Sequence, residues 1–277
     1  MSGTHKKLGS AGVIRWIVAG LVLAADLFAL VWLYPLLQSH VVMGVYSVKQ
    51  MEDSVMRECG MGIDIPRADG WYQQMLVFGA DGFTAWSGID ADMTVLYSFG
   101  AFDLPARTSS LYDPASEKYS AFYGAYVVKK DSGAFGFDGN GALNMYEVTA
   151  AVEYDYTRLV MANFGCEEPV FGVSDMTTLK NAVCAGSGGW TRIDAKLHVN
   201  GAAHTYREHK LAYLQYGKPM GATGPDFAET DMTGRVYAKY FTEFGCTVMM
   251  YCIALDTETV DECDAEALQS AVISALQ

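Results

Sequence analysis

Apolar residues fall along this chain in two regimes. From Val13 to Leu37 they run almost unbroken, VIRWIVAGLVLAADLFALVWLYPLL. At about 1.5 Å per residue, such a run crosses a hydrocarbon core of about 30 Å. It exceeds the roughly 7 to 15 apolar residues of a cleaved signal peptide and lacks a small-residue cleavage motif, so residues 13–37 read as a transmembrane signal anchor. Pro35 is placed to end the helix. From His40 to Glu58 the pattern is only mildly amphipathic and suggests a juxtamembrane stalk, residues 38–58.

Beyond the stalk, apolar and polar positions alternate in short stretches punctuated by Gly, Asp and Asn, the period of half-buried strands. WYQQMLVFGADGFTAWSG predicts two short strands about Gly79-Ala80-Asp81-Gly82, and further strands are expected at Met93–Phe99 and in SAFYGAYVVKK. NMYEVTAAVEYDY, rich in aromatic and β-branched residues, reads as a strand leading into a short helix near Thr157–Phe164. Thr177–Ala185 reads as a helix. TRIDAKLHV and AAHTYREHKLAYLQY flank Asn200-Gly201, a dipeptide suited to a type I′ turn, and predict a hairpin. RVYAKYFTEF and CTVMMYCIAL pair about Gly245, and DAEALQSAVISAL ends the chain as an amphipathic helix.

Hairpins outnumber strand-helix-strand units, so the expected class is α+β. One N-terminal transmembrane helix precedes a single, mainly antiparallel domain, residues 59–277, with a few helices and a C-terminal helix. Residues 1–12 form a cytoplasmic tail. Lys6, Lys7 and Arg15 with no nearby acid place that tail inside, so the large domain is expected outside the cytoplasm, on a single-pass protein of the cell membrane.

Charge narrows the partners. The chain carries 19 Lys and Arg against 32 Asp and Glu, a net −13; setting aside Lys6, Lys7, Arg15 and Asp26 leaves the outer part near −15. Such a surface repels nucleic acid. All six cysteines, Cys59, Cys166, Cys184, Cys246, Cys252 and Cys263, follow the anchor, which fits disulfide stapling in an oxidising compartment. Six cysteines allow 15 connectivities. Cys166 with Cys184, and Cys252 with Cys263, are the plausible local bridges.

Within the anchor, Asp26 stands near the middle of the apolar run. A carboxyl there costs about 2.5 to 3.5 kcal/mol on insertion scales. Gly20 with Ala24, and Ala25 with Ala29, supply small residues four apart, the spacing that lets membrane helices approach. These five residues suit either a membrane-helix partner or a homodimer in which Asp26 is paired, or an ordinary alanine-rich span in which Asp26 stands alone and neutralises.

Chemistry is sparse elsewhere. His198, His204 and His209 crowd about Asn200-Gly201, where two imidazoles and a nearby Glu208 or Asp194 could share a divalent ion, the one cofactor the chain suggests. Gly136–Glu147 matches a calcium loop at Asp138, Asn140, Gly141 and Glu147, but Gly136 stands where the first carboxylate belongs, so a turn is the better account. Asp90 with Asp92, and Glu153 with Asp155, would share a face if they lay on strands. Tyrosines concentrate between Tyr97 and Tyr156, as either a binding surface or a core rim. Hydrolase, P-loop, zinc-protease and dinucleotide fingerprints are missing. The expectation is therefore an anchored outer domain that binds an extracellular protein or ligand without catalysis, with a metal-assisted hydrolase built on the hairpin histidines as the alternative.

Overall fold

The computed structural model describes residues 10–70, 75–98, 102–103, 108–111, 113–162, 165–201 and 224–276. The apolar run belongs to one long helix, α1 (Ser10–Glu52). Its segment Gly12–Val31 is long and apolar enough to cross a membrane, and none of it is buried against the domain. The helix does not stop at Pro35 as the sequence suggests. A proline removes one intrahelical bond and crowds the preceding turn, yet the helix runs on past Ser47, which is buried against the domain.

That burial fixes the end of α1 to the edge of the main sheet. Ser47 is buried, and its Oγ accepts the Val77 N–H at 2.9 Å. Tyr46 packs on Phe78 with ring centroids 5.5 Å apart. Val77 and Phe78 belong to β2 (Leu76–Gly79), an outermost strand of the sheet among the described residues. The helix thereby covers an edge that would otherwise present unpaired backbone groups.

After α1 come α2 (Val55–Glu58) and β1 (Met61–Asp64). Beyond β2 follow α3 (Phe83–Ser87), β3 (Asp92–Tyr97), β4 (Phe102–Asp103), β5 (Thr108–Ser109), β6 (Phe122–Lys129) and α4 (Met145–Tyr154). Then come β7 (Phe171–Cys184), β8 (Ser187–Asn200), β9 (Glu229–Phe241), β10 (Cys246–Ala254), α5 (Thr257–Cys263) and β11 (Val272–Ala275). Seven strands form one sheet in the order β2-β3-β6-β10-β9-β8-β7, antiparallel throughout. β1 pairs with β11, and β4 with β5.

Both faces of the sheet are covered. Every residue of β10 is buried, which explains why its sequence reads as a continuous apolar run. Met249, Tyr251 and Ile253 enter one cluster with Phe78, Val95, Tyr126 and the inner face of α4. Cys246, Val248, Met250 and Cys252 enter the other with Val77, Val127 and Trp190, beneath α2 and α5. Gly124 of β6 permits the close approach at the centre. A Cβ there would stand 1.8 Å from the Leu96 carbonyl oxygen and 2.8 Å from the Tyr251 hydroxyl.

Several local expectations are corrected. NMYEVTAAVEYDY is α4, not a strand: Asn144 caps the helix by accepting from the Glu147 N–H, and Val148, Ala151, Val152 and Asp155 share its inner face. The helix continues as a π-helical stretch, Asp155–Met161. The segment after Gly82 is α3 rather than a strand. Thr177–Ala185 is not a helix but mostly the far half of β7, and the turn into β8 is Ala185-Gly186, both at positive φ, with Cys184 opposite Ser187.

The Asn200-Gly201 hairpin is not what organises β8. Both hydrogen-bonding edges of β8 are occupied, by β7 on one side and β9 on the other, with Val199 opposite Phe171 and Thr230. Residues 202–216, the expected second arm, lie outside the described residues. The chain does not end in a helix: α5 passes into a π-helical stretch, Asp264–Leu268, and the β-branched Val272 and Ile273 then pair with β1.

Candidate functional site

Among the described residues, a concavity lies where α4 crosses the outer half of the sheet. Met145, Val148, Thr149 and Val152, spaced as successive turns of one helix face, form its roof. Phe171, Val173 and Met176 of β7, Ile193, Ala195 and Leu197 of β8, Gly234 and Val236 of β9, and Ile253 of β10 form the floor and wall. The recess holds about 410 Å³ of space, its open mouth included. Gly234 keeps the floor low, since an added Cβ would meet Leu197 Cδ1 at 3.2 Å. Met176, 47% exposed, stands at the rim. Thr149 supplies the lining's only side-chain hydroxyl, so the recess suits an apolar group rather than a charged one.

Deeper under the same layer is Asp155, at the junction of α4 and the π-helical stretch. Tyr126 donates to its Oδ2 at 2.8 Å, while Oδ1 has no hydrogen-bond partner. Burial pushes the carboxyl well above its ordinary range, because removal from water disfavours the charged form. Tyr126 stacks on Tyr251 at 4.6 Å. Tyr156 donates to the Asn200 carbonyl at 2.7 Å. The tyrosines Tyr97, Tyr123, Tyr126, Tyr154 and Tyr156 are thus core residues, and the sequence cluster is largely interior.

The opposite face carries an ion network. Arg235, buried on β9, donates to Asp194 at 2.7 Å and Asp264 at 2.8 Å, and pairs with Asp261 at 2.8 Å. Tyr237 donates to the same Asp264 oxygen at 2.7 Å, and Gln269 to its other oxygen at 2.7 Å. Arg192 holds the second oxygen of Asp194 at 2.7 Å. These groups close on one another and tie α5 to the sheet. The sequence offered no signal for them, because Asp194, Arg235 and Asp264 are brought together only by the strand order.

Of the predicted metal-site histidines, only His198 lies among the described residues. His198 is exposed on β8, with Nδ1 2.8 Å from Asp231 and Nε2 2.8 Å from Glu229. Those hydrogen bonds, to Asp231 and then Glu229, raise its pKa and favour an imidazolium, which has no lone pair for a metal. His204, Glu208 and His209 lie outside the described residues. Among the described residues no group of three or more His, Cys, Asp or Glu is placed to hold a metal ion.

The calcium-like loop is a turn. Asp138 accepts from the N–H groups of Asn140 and Ala142, each at 2.8 Å, and Glu147 accepts from Gly136 at 2.7 Å and pairs with Lys130. Glu153 and Asp155 diverge because they sit on a helix: Asp155 is buried and Glu153 is not. In the anchor, Gly20, Ala24, Ala25, Asp26 and Ala29 are all exposed along α1.

No disulfide joins any of the six cysteines. Cys166 and Cys184 cannot bridge locally, since they lie in the clusters on opposite faces of the sheet. Cys252 and Cys263 lie in the same buried cluster.

Comparison with known proteins adds no relative: no family model, curated protein or solved structure matches the chain.

Proposed function

We propose that the protein is a single-pass membrane-anchored binding protein without catalytic activity. Its N-terminal tail lies in the cytoplasm, its acidic domain lies outside, and the recess beneath α4 receives an apolar side chain of a protein partner. The recess is the observation that carries this reading. It is open and apolar, and it sits in a domain whose buried Arg235 and Asp264 are committed to each other and whose exposed His198 is committed to strand-end carboxylates. Lys6, Lys7 and Arg15 support the orientation, and the docked end of α1 holds the domain to its anchor.

The test is a titration of N-acetyl-leucinamide into full-length protein in lipid nanodiscs, with methionine methyl groups labelled for NMR. Met145 and Met176 should shift saturably while Met56 and Met61, on the other face, stay still. Ala195→Phe, which fills the recess, should abolish the shifts. Uniform, non-saturating shifts, or shifts that survive the filled recess, would remove the recess from the proposal.

A further inference from the structure

β7 is the outermost strand of the main sheet on the side away from α1, and among the described residues nothing pairs with its outer edge. Long strand edges are ordinarily shielded, because their unpaired N–H and C=O groups invite another strand. Here residues 174–181 are exposed throughout. Met176, Leu179 and Val183 are exposed apolar side chains on the same strand.

The strand is irregular in a symmetric way. Ser174 faces Lys196 and Thr177 faces Asp194, so Asp175 and Met176 share the place opposite Ala195. Leu179 faces Arg192 and Ala182 faces Trp190, so Lys180 and Asn181 share the place opposite Thr191. Each bulge holds one residue at positive φ, Asp175 at 50° and Asn181 at 57°, residue types that tolerate that region. Thr178 lies midway between them. A regular strand laid along this edge would lose register at both bulges. An antiparallel copy of β7 centred on Thr178 keeps register throughout, because each bulge meets the other bulge of the second copy and the extra residues cancel.

Charge selects the same partner. Asp175 and Lys180 are the only charged residues of β7, one in each bulge. Both bulges belong to the recess face, since Ala195 and Thr191 alternate along β8 with Asp194 and Arg192 of the ion network. A two-fold axis at Thr178 therefore sets Asp175 of each copy against the bulge that holds Lys180 of the other, and two opposite-charge contacts form. Thr178 meets its own counterpart, Leu179 meets Thr177, and Val183 meets Val173. A parallel copy would set acid on acid and base on base.

We propose that the outer edge of β7 is a self-association surface, through which two copies of this chain pair antiparallel about Thr178 and join their sheets into one. Directly opposed residues of an antiparallel pair share a face, so both α4 layers and both recesses lie on one side of the joined sheet. α1 docks at the other edge, on β2. The association therefore makes no use of the anchor, and it stands whether or not the recess takes a ligand.

The test is disulfide trapping in the full-length protein solubilised in detergent. Opposed Cα atoms of an antiparallel pair are about 4.5 to 5.5 Å apart, within reach of a disulfide. On mild oxidation with copper phenanthroline, Thr178→Cys should give a covalent dimer in which peptide mapping joins residue 178 to residue 178. Ser174→Cys is equally exposed, but roughly 25 Å would separate it from its own counterpart at the usual strand rise, so it should give no 174–174 link. Lys180→Glu, added to the Thr178→Cys chain, should lower the yield of the 178–178 link several-fold, whereas Lys180→Arg should leave it unchanged. The pairing is overturned by the absence of a 178–178 link, by a 174–174 link of equal yield, or by a 178–178 link indifferent to Lys180→Glu. A dimer that forms without the 178–178 link places self-association on another surface and overturns it equally.

Discussion

Asp155 is buried with one carboxyl oxygen unpartnered, and its titration should be visible in the stability of the whole domain. Unfolded, its carboxyl titrates near the ordinary value of 3.8; folded, burial holds the proton to much higher pH. Its contribution to stability is then complete below about pH 4 and is lost as pH rises through the folded value, at about 1.4 kcal/mol per unit of difference. Asp155→Asn keeps an acceptor for Tyr126 and removes the titration. The melting-temperature difference, variant minus parent, should therefore grow more positive from pH 4 to pH 8; a flat difference would mean that Asp155 is ionised in the fold. Arg235 makes the opposite case, since Arg235→Met removes the shared cation between Asp194 and Asp264 and leaves them only Arg192, Tyr237 and Gln269. Breaking a buried pair costs about 3 to 5 kcal/mol, and denaturant unfolding of the variant should show a loss near the lower end because Asp194 and Asp261 keep some water. Neither residue announced itself in the sequence. Asp155 was visible only as half of an acid pair on a supposed strand, and Arg235 only as one of many charges.

At the scale of elements, the point of attachment between helix and sheet is open to a sharp test. Ser47→Ala removes the acceptor of the Val77 N–H and leaves a buried donor unpaired, a cost of about 1 to 3 kcal/mol. Hydrogen exchange should show β2 losing protection while β9 and β10 keep theirs; equal protection across the sheet would mean that the edge does not depend on α1. At the centre, Gly124→Ala should be worse tolerated, because a methyl group 1.8 Å from the Leu96 carbonyl oxygen forces β3 and β6 apart. Local pattern gave away β3, β6, β9 and β10, whose apolar runs are bounded by clear turns. It misled at α4, where β-branched and aromatic content outweighed a better signal. Asn144 followed three residues later by Glu147 marks a helix start, and Val148, Ala151, Val152 and Asp155 keep helical spacing. Pairing was less legible still: β8 takes β9 as its neighbour across residues 201–228, and no short-range rule ranks that above the Asn200-Gly201 turn. The recess was illegible for the same reason, its lining coming from α4 and four strands.

For the whole molecule, α1 runs unbroken from the apolar segment Gly12–Val31 to its docked end beside β2, so whatever that segment meets is joined to the domain by one continuous helix. Among the described residues nothing buries Gly12–Val31, and Asp26 is exposed on it; if this helix is a membrane anchor, lipid or another helix covers it. A lone carboxyl facing lipid is costly by about 2.5 to 3.5 kcal/mol. Two chains packed along Gly20 and Ala24, or along Ala25 and Ala29, would let paired carboxyls satisfy one another and offset part of that cost. Outside the apolar run the helix still exposes Val41, Val45 and Val48, which share one face by their spacing and would extend a contact begun in the membrane. Full-length protein labelled near its N-terminus and diluted into vesicles should accordingly show energy transfer that falls with protein-to-lipid ratio, and Asp26→Leu should raise the monomer fraction at every ratio even though leucine is the better membrane residue. Equal monomer fractions for the two chains would mean that Asp26 faces lipid alone and that the anchor only tethers.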